Sequence, residues 1–477
     1  MNRHKNVLEV ILELVSYALL SQNKYTFLIP EATNAVNEFY SFDFPDAVIK
    51  KTCNKMVSDK ILSRNNQFSY SFVDKTKFNI DDADKVFTEL HNIHKELCDA
   101  LLAYANEKFG EFISENEDKD NIIKCLFDFV LYGKSNNPFH SRIVSSFLVS
   151  ITDNDYYTSY LSNMRQALVL YQGICYSQNF NELGNWNREL SLFFNTDVLF
   201  SAYGLNGEYK KKLFDDFYQL ASEININARN KKNRDIIKFY YFDQVKTEID
   251  DFYYVASLVV QNKVTLNPDK KAMISIVNGC NKESNVLEKK AKFFSFLKNK
   301  NINLVTDIPD TRDYIVESSE IIKKLEQESI ENNKPFDNNE VALAFTYLTL
   351  INAYRKGHSD CAFHSAKYFF VTDKSLTNYI ATNPIVKFNE KDIPLATSID
   401  FLTSKFWFSL NKSFSMGNRM ITFDVIVRAK LVLESQLNDA IGECFNEIRN
   451  KIASGAITSA EAEQLYLSLR EKSLGLS

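Results

Sequence analysis

The run Leu190-Ser191-Leu192-Phe193-Phe194 stops on the polar triplet Asn195-Thr196-Asp197 and resumes as Val198-Leu199-Phe200. It is too short for a helix, rich in Phe and without strict alternation, the pattern of a strand buried on both faces. Short runs of the same kind recur at Ile236–Phe242, Ile302–Thr306, Tyr368–Thr372 and, weakly, Leu395–Ile399. Between them lie helical patterns at Leu213–Glu223, Thr247–Val260, Leu287–Lys298, Ser318–Gln327 and Glu340–Tyr354, so the region predicts a parallel α/β sheet. Ligands of such sheets bind beyond the carboxyl ends of the strands, and Asp197, read as the end of the first strand, falls there.

The rest of the chain reads as mostly helical. A length of 477 residues allows about two to four domains. We divide it at residues 1–75, 80–185, 188–410 and 411–477. The last of these reads as a C-terminal helical region, with a capping-box spacing at Thr458-Ser459-Ala460-Glu461. A net charge of −5 provides no global basic field, and only 12 glycines argue against glycine-cradled phosphate sites. Gly133-Lys134-Ser135 fails as a phosphate loop because Asp128 stands where the first glycine belongs. Seven cysteines without a C-x-x-C pair suggest reduced thiols and a cytoplasmic protein. Glu9 and Glu13 interrupt the first apolar run, and no uncharged run is long enough for a membrane span, so no membrane partner is expected.

Residues 1–75 show helical patterns at Val7–Leu20, Ile29–Phe39 and Pro45–Ser58. Two short strands then lie between Lys60 and Phe72, around Asn65-Asn66. Three helices and a hairpin resemble a winged helix. The third helix carries Lys50, Lys51, Asn54 and Lys55, which suits contact with duplex phosphates as well as a solvated face used for protein contacts. Residues 80–185 read as four helices, at Ala83–Phe109, Ile122–Tyr132, Arg142–Ile151 and Tyr156–Tyr176, with a polar connector at Ser114–Asn121. His91 and His94 share a helix face there. Without a third ligand nearby they read as a surface or packed pair.

Behind Asp197 three more carboxylates follow in order: Glu248 in the first turn of the helix after the second strand, Glu340 opening a later helix, and Asp373 closing the strand that ends at Thr372. Several carboxylates at one sheet edge repel unless a cation neutralises them. Hard oxygen donors select Mg²⁺ or Mn²⁺, which holds a phosphodiester and activates water. These residues resemble the PIN-domain nucleases, in which the first strand ends in Asp-Thr/Ser-Asn and the fourth in Thr-Asp. The resemblance spans roughly 188–410 and implies a PIN-like domain within a mostly helical multidomain chain. It also implies a metal-dependent phosphodiester hydrolase, an endoribonuclease acting on RNA in preference to DNA, in the setting of a bacterial toxin or phage-defence effector. The family's triplet is mirrored here, with Asn195 at the position of its first Asp. The third acidic position is either Glu340 or Asp360, the latter only 13 residues before Asp373.

The cluster His358, Asp360, Cys361 and His364 has metal-ligand spacing but lacks a paired knuckle, which argues against structural zinc. Asn225–Arg234 reads as a basic loop, and its Arg229, Lys232 and Arg234, with Lys210-Lys211-Lys212 and Arg355-Lys356, are candidates for phosphate contact. Two rival readings remain: a non-catalytic PIN-like platform that binds proteins through the helical regions, and a winged-helix DNA-binding regulator.

Overall fold

The computed structural model describes residues 7–40, 44, 46–65, 69–73, 80–110, 116–132, 137–175, 188–331, 337–359, 365–383, 386, 392–410, 425–454, 456–458, 461–462 and 464–466. The chain divides into two compact units. One comprises residues 1–185 with 407–434, the other residues 186–406 with 435–477.

The first unit opens with α1 (Val7–Ser21), β1 (Thr26–Leu28), α2 (Ile29–Tyr40), α3 (Asp46–Ser58), β2 (Leu62–Arg64) and β3 (Ser69–Phe72). The strands form an antiparallel sheet in the order β1-β3-β2. Phe27 of β1 stacks on Tyr70 of β3 at 6.2 Å. The Tyr70 hydroxyl donates to Asn54 Oδ1 at 3.1 Å, which ties the hairpin to α3. Four helices follow: α4 (Ile80–Phe109), α5 (Asn116–Tyr132), α6 (Pro138–Ser150) and α7 (Asp155–Cys175). They close on a core of Leu101, Leu126, Phe129, Val144 and Phe147.

One expectation changes in this unit, and the histidine pair agrees with its reading. The connector expected at Ser114–Asn121 is helical from Asn116, since acidic residues such as Glu117 and Asp118 suit a helix N-terminus. His94 is a packed residue: its Nδ1 lies 3.1 Å from the Tyr160 hydroxyl and its ring stacks on Phe127 at 4.9 Å. Burial first, and His91 second, hold it below the ordinary histidine range. Gly133, Lys134 and Ser135 lie outside the described residues.

The second unit is a parallel α/β sheet covered by helices. Its elements are β4 (Leu190–Phe194), α8 (Thr196–Tyr203), α9 (Glu208–Lys232), β5 (Ile237–Tyr241), α10 (Asp243–Val260), α11 (Lys271–Val277) and α12 (Glu283–Asn299). Then come β6 (Ile302–Leu304), α13 (Ser319–Glu331), α14 (Asn338–Arg355), β7 (Tyr368–Val371), α15 (Ser375–Thr382), β8 (Ala396–Thr397) and α16 (Ile399–Ser409). All five strands run parallel in the order β6-β5-β4-β7-β8. The division falls within α16, after Phe406, and within α17 (Val425–Ala453), after Glu434. The capping box beyond it is formed, with Thr458 N–H donating to the Glu461 carboxylate at 2.8 Å and Glu461 N–H to Thr458 Oγ1 at 3.3 Å.

Adjacent phenylalanines of β4 serve opposite faces, as the strand period requires. Phe194 packs edge-on against Phe214 and Phe217 of α9 at 5.8 and 6.0 Å. Phe193 stacks on Phe242 at 4.7 Å and lies 5.0 Å from Tyr354 of α14. Both are buried, so each contributes about 1.5–3 kcal/mol of transfer free energy. Truncating either to Ala would cost roughly 3–5 kcal/mol.

Chain order explains where a crevice opens. From β4 the chain steps outward to β5 and β6, then returns across the sheet to β7 and β8. The direction reverses between β4 and β7, which is the topological switch point of this sheet.

The loop expected at Asn225–Arg234 is instead the last two turns of α9 as far as Lys232. Asn225 is the reason. It is buried, donates from Nδ2 to the Ile237 carbonyl at 2.8 Å, and accepts at Oδ1 from Ile236 and Ile237 N–H at 3.1 and 2.8 Å. A polar residue that looked like a breaker is the clamp joining α9 to β5. Among the described residues no helix is long and apolar enough to cross a membrane.

Candidate functional site at the switch point between β4 and β7

The strand β4 ends at Phe194, one residue before the triplet, and the expectation that Asp197 closes a strand is corrected. Asn195 is the extended N-cap of α8, with φ −78° and ψ 165°, and Asp197 lies in the first turn of the helix. The reason is local: Asn is a preferred N-cap, and an acidic residue suits the positive end of a helix. Gly204, at φ 93°, terminates α8 in the left-handed conformation that glycine adopts without strain.

Asn195 is fully buried and bonded at both ends. Its Oδ1 accepts from Thr196 N–H at 2.8 Å, and its Nδ2 donates to Thr372 Oγ1 at 3.1 Å. Thr372 follows β7 directly and is the hub of the site. Its hydroxyl also accepts from Lys374 N–H at 3.1 Å and lies 3.4 Å from Asp197 Oδ1, to which it donates. Asp373 N–H donates to Asp197 Oδ2 at 3.0 Å. Asp197 is therefore held by the backbone and side chain of the residues that end β7. Asp373 contributes its amide to this bond, while its side chain is exposed.

Burial pushes the Asp197 carboxyl above the ordinary carboxylate range. The Asp373 amide, the Lys374 and Lys210 cations and the Val198 amide pull against that shift.

Glu248 lies in the second turn of α10, which begins four residues earlier than the sequence suggests, at Asp243. The Thr196 hydroxyl donates to Glu248 Oε2 in a short hydrogen bond. Glu340 lies in the first turn of α14, where Asp337 caps the helix by accepting from Asn339 and Glu340 N–H at 2.9 and 3.2 Å. Its Oε1 is 3.7 Å from Lys374 Nζ. Asp360, Cys361 and His364 lie outside the described residues.

The four carboxylates thus gather at one sheet edge without forming a single cluster. Among the described residues no group of three His, Cys, Asp or Glu side chains is arranged to hold a metal ion. Asp197 and Glu248 are linked through Thr196 and the start of α8, whereas Glu340 is turned to a lysine.

Tyr347 of α14 was not expected at this site. Its ring stacks on Phe370 of β7 at 4.4 Å and on Phe242, just before α10, at 6.0 Å. Burial raises its hydroxyl far above the tyrosine range, and the next two causes are the Glu248 and Asp197 charges. In sequence, Tyr347 is one more aromatic residue on an apolar helix face.

The basic candidates are largely committed. Arg229 bonds the Asp235 carboxylate, with one contact at 2.7 Å, and Arg234 pairs with Glu189 at 2.9 Å. Lys232 is exposed. Lys55 pairs with Asp59, just past the end of α3, at 2.8 Å, and Lys50 is exposed. Lys51 lies in α3, and its side chain falls outside the described residues. Arg355 is not a surface cation. It is buried at the end of α14 and donates to the carbonyls of Tyr368, Ile393 and Pro394 at 2.8–3.0 Å. Lys211 lays its stem along Gly204, where an added Cβ would sit 3.2 Å from its Cδ.

Fold and site together define a parallel α/β unit with a half-buried, hydrogen-bonded carboxylate at its switch point. Comparison of this chain with family models, curated proteins and solved structures yields no match.

Proposed function

We propose that the second unit is a divalent-metal-dependent phosphodiester hydrolase, a PIN-like nuclease acting on RNA in preference to DNA. The observation that carries this reading is Asp197: a half-buried carboxylate, fixed by Thr372 and Asp373 at the switch point, beside the Thr196–Glu248 pair. Structural needs do not call for such a group, because burying a carboxylate costs stability.

The donor set fits Mg²⁺ or Mn²⁺ with two protein ligands, Asp197 and Glu248. Magnesium commonly uses one or two carboxylates and fills its remaining positions with water and phosphate oxygens. Burial first, and then the Glu248 and Asp197 charges, keep the Tyr347 phenol protonated beside this site, so that it can act there only as a neutral hydroxyl. The cation would supply charge stabilisation at the phosphate and lower the pKa of a bound water. This chain's residues supply the rest. Thr372 and the Asp373 amide fix Asp197, Thr196 orients Glu248, and Lys374, near Glu340, offers positive charge to a phosphate at the rim. The preference for RNA and the setting of a toxin or phage-defence effector rest on the resemblance alone. The first unit, with its winged-helix-like order of elements, would provide targeting through Lys50, Lys51 and Lys55.

The purified chain is incubated with end-labelled single-stranded RNA and DNA plus Mn²⁺, beside Asp197→Asn and Asp373→Asn. Cleavage by the native chain, abolished in Asp197→Asn, is the expected result. Equal cleavage by both variants would reject the site.

Two observations favour a second reading, a non-catalytic platform. Asn195 caps α8 where the nuclease family carries Asp, and no three-carboxylate group forms among the described residues. That reading predicts no cleavage and no metal-dependent stabilisation.

A further inference from the structure

Tyr347 is buried almost completely, and among the described residues its hydroxyl has no hydrogen-bond partner. A buried, unsatisfied hydroxyl destabilises a fold, and Phe would fill the same space without that cost. The ring itself is well placed: it stacks on Phe370 of β7 and Phe242 beside α10, and Phe242 and Phe370 lie 6.3 Å apart. It therefore bridges the ends of β5 and β7 across β4, the strand whose end leads to Asp197. Its two stacking partners lead directly into the site: Phe370 stands two residues before Thr372, which bonds Asp197, and Phe242 six residues before Glu248.

We propose that Tyr347 is a positioning residue of the Asp197–Glu248 site, its hydroxyl donating to the oxygens gathered around a divalent cation once that cation is held. The inference rests on the metal-site reading given above and adds the group that orients its oxygens. In the cation-free protein the hydroxyl carries a cost, and in the loaded protein it has a partner.

This gives Tyr347→Phe effects of opposite sign, which a purely structural tyrosine would not show. Tyr253 supplies the control, since it too is buried with an unpartnered hydroxyl, and its nearest charge effect comes from Tyr203. The full chain and the variants Tyr347→Phe, Tyr253→Phe and Asp197→Asn are titrated with Mn²⁺ alone and melted with and without it. Both tyrosine variants are expected to unfold at a temperature equal to or roughly 2–4 °C above the native chain without Mn²⁺. Tyr347→Phe alone is expected to bind Mn²⁺ about tenfold more weakly, with a correspondingly smaller Mn²⁺-induced rise in melting temperature. Unchanged Mn²⁺ affinity in Tyr347→Phe, when the native chain binds and Asp197→Asn does not, overturns the role of Tyr347 and leaves the metal site standing. A lowered melting temperature for metal-free Tyr347→Phe overturns it too, because the hydroxyl would then have a structural partner. If the native chain binds no Mn²⁺, the metal site falls and this inference with it.

Discussion

Replacing Asn195 by Ala tests whether one side chain holds the switch point together. Two bonds are lost. The N-cap acceptor for Thr196 N–H, at 2.8 Å, accounts for about 1 kcal/mol. The buried donor to Thr372 Oγ1, at 3.1 Å, adds about 1 kcal/mol, toward the low end because Thr372 keeps its bond from Lys374 N–H. The space left by the amide in a fully buried site adds a further 1–2 kcal/mol or so, for a total of about 3–4 kcal/mol. At 1.4 kcal/mol per decade this is a loss of protection of roughly 100- to 1,000-fold for amides that exchange through unfolding of the sheet. Hydrogen–deuterium exchange over β4 and β7 in the full chain reads it directly, independently of the first unit. A change below about threefold in both strands would refute the reasoning. Asn195→Asp separates the two bonds. It keeps an acceptor for Thr196 N–H but loses the donor and sets a second carboxylate across the Thr372 hydroxyl from Asp197. Its melting temperature should fall without metal and recover more than that of the native chain when Mn²⁺ is added.

Other outcomes follow from the same structure. The folded chain holds the Asp197 proton to higher pH than the unfolded chain. The contribution of Asp197 to stability therefore falls as pH rises from the unfolded carboxylate value, about 3.9, through its raised folded value. Asp197→Asn should consequently gain stability relative to the native chain at neutral pH and lose that advantage near pH 3, as urea midpoints at the two pH values would show. Burial lowers Lys405 of α16 to about 8, so its cost is complete below pH 8 and fades toward the unfolded value. Lys405→Met should raise the melting temperature at pH 7, and the gain should shrink between pH 8 and 10. Arg355→Ala strands the carbonyls of Tyr368, Ile393 and Pro394 and should cost on the order of 3–5 kcal/mol in urea unfolding. Arg355→Lys should rescue little of it, because an ammonium cannot span these acceptors.

The strands are legible in sequence because a strand buried on both faces leaves a compact apolar run: the run Leu190–Phe194 coincides with β4 at both ends. Site residues that follow a strand directly, Thr372 and Asp373, were legible for the same reason. Three features were hidden, each for a physical cause. Asn195-Thr196-Asp197 is a helix start as well as a polar triplet, and the strand pattern before it masks the cap preference of Asn. Asn225 looked like a loop residue because composition cannot show that its amide saturates the backbone of the next strand. Tyr347 is invisible in one dimension, since only the fold reveals that its ring finds stacking partners and its hydroxyl finds none.

Anomalous diffraction from crystals of the full chain soaked in Mn²⁺ is the most direct measurement of the central claim. A single strong peak about 2.1 Å from oxygens of both Asp197 and Glu248, absent in Asp197→Asn crystals, is the predicted result. No peak at the switch point between β4 and β7, in crystals where Mn²⁺ is otherwise bound, would contradict it.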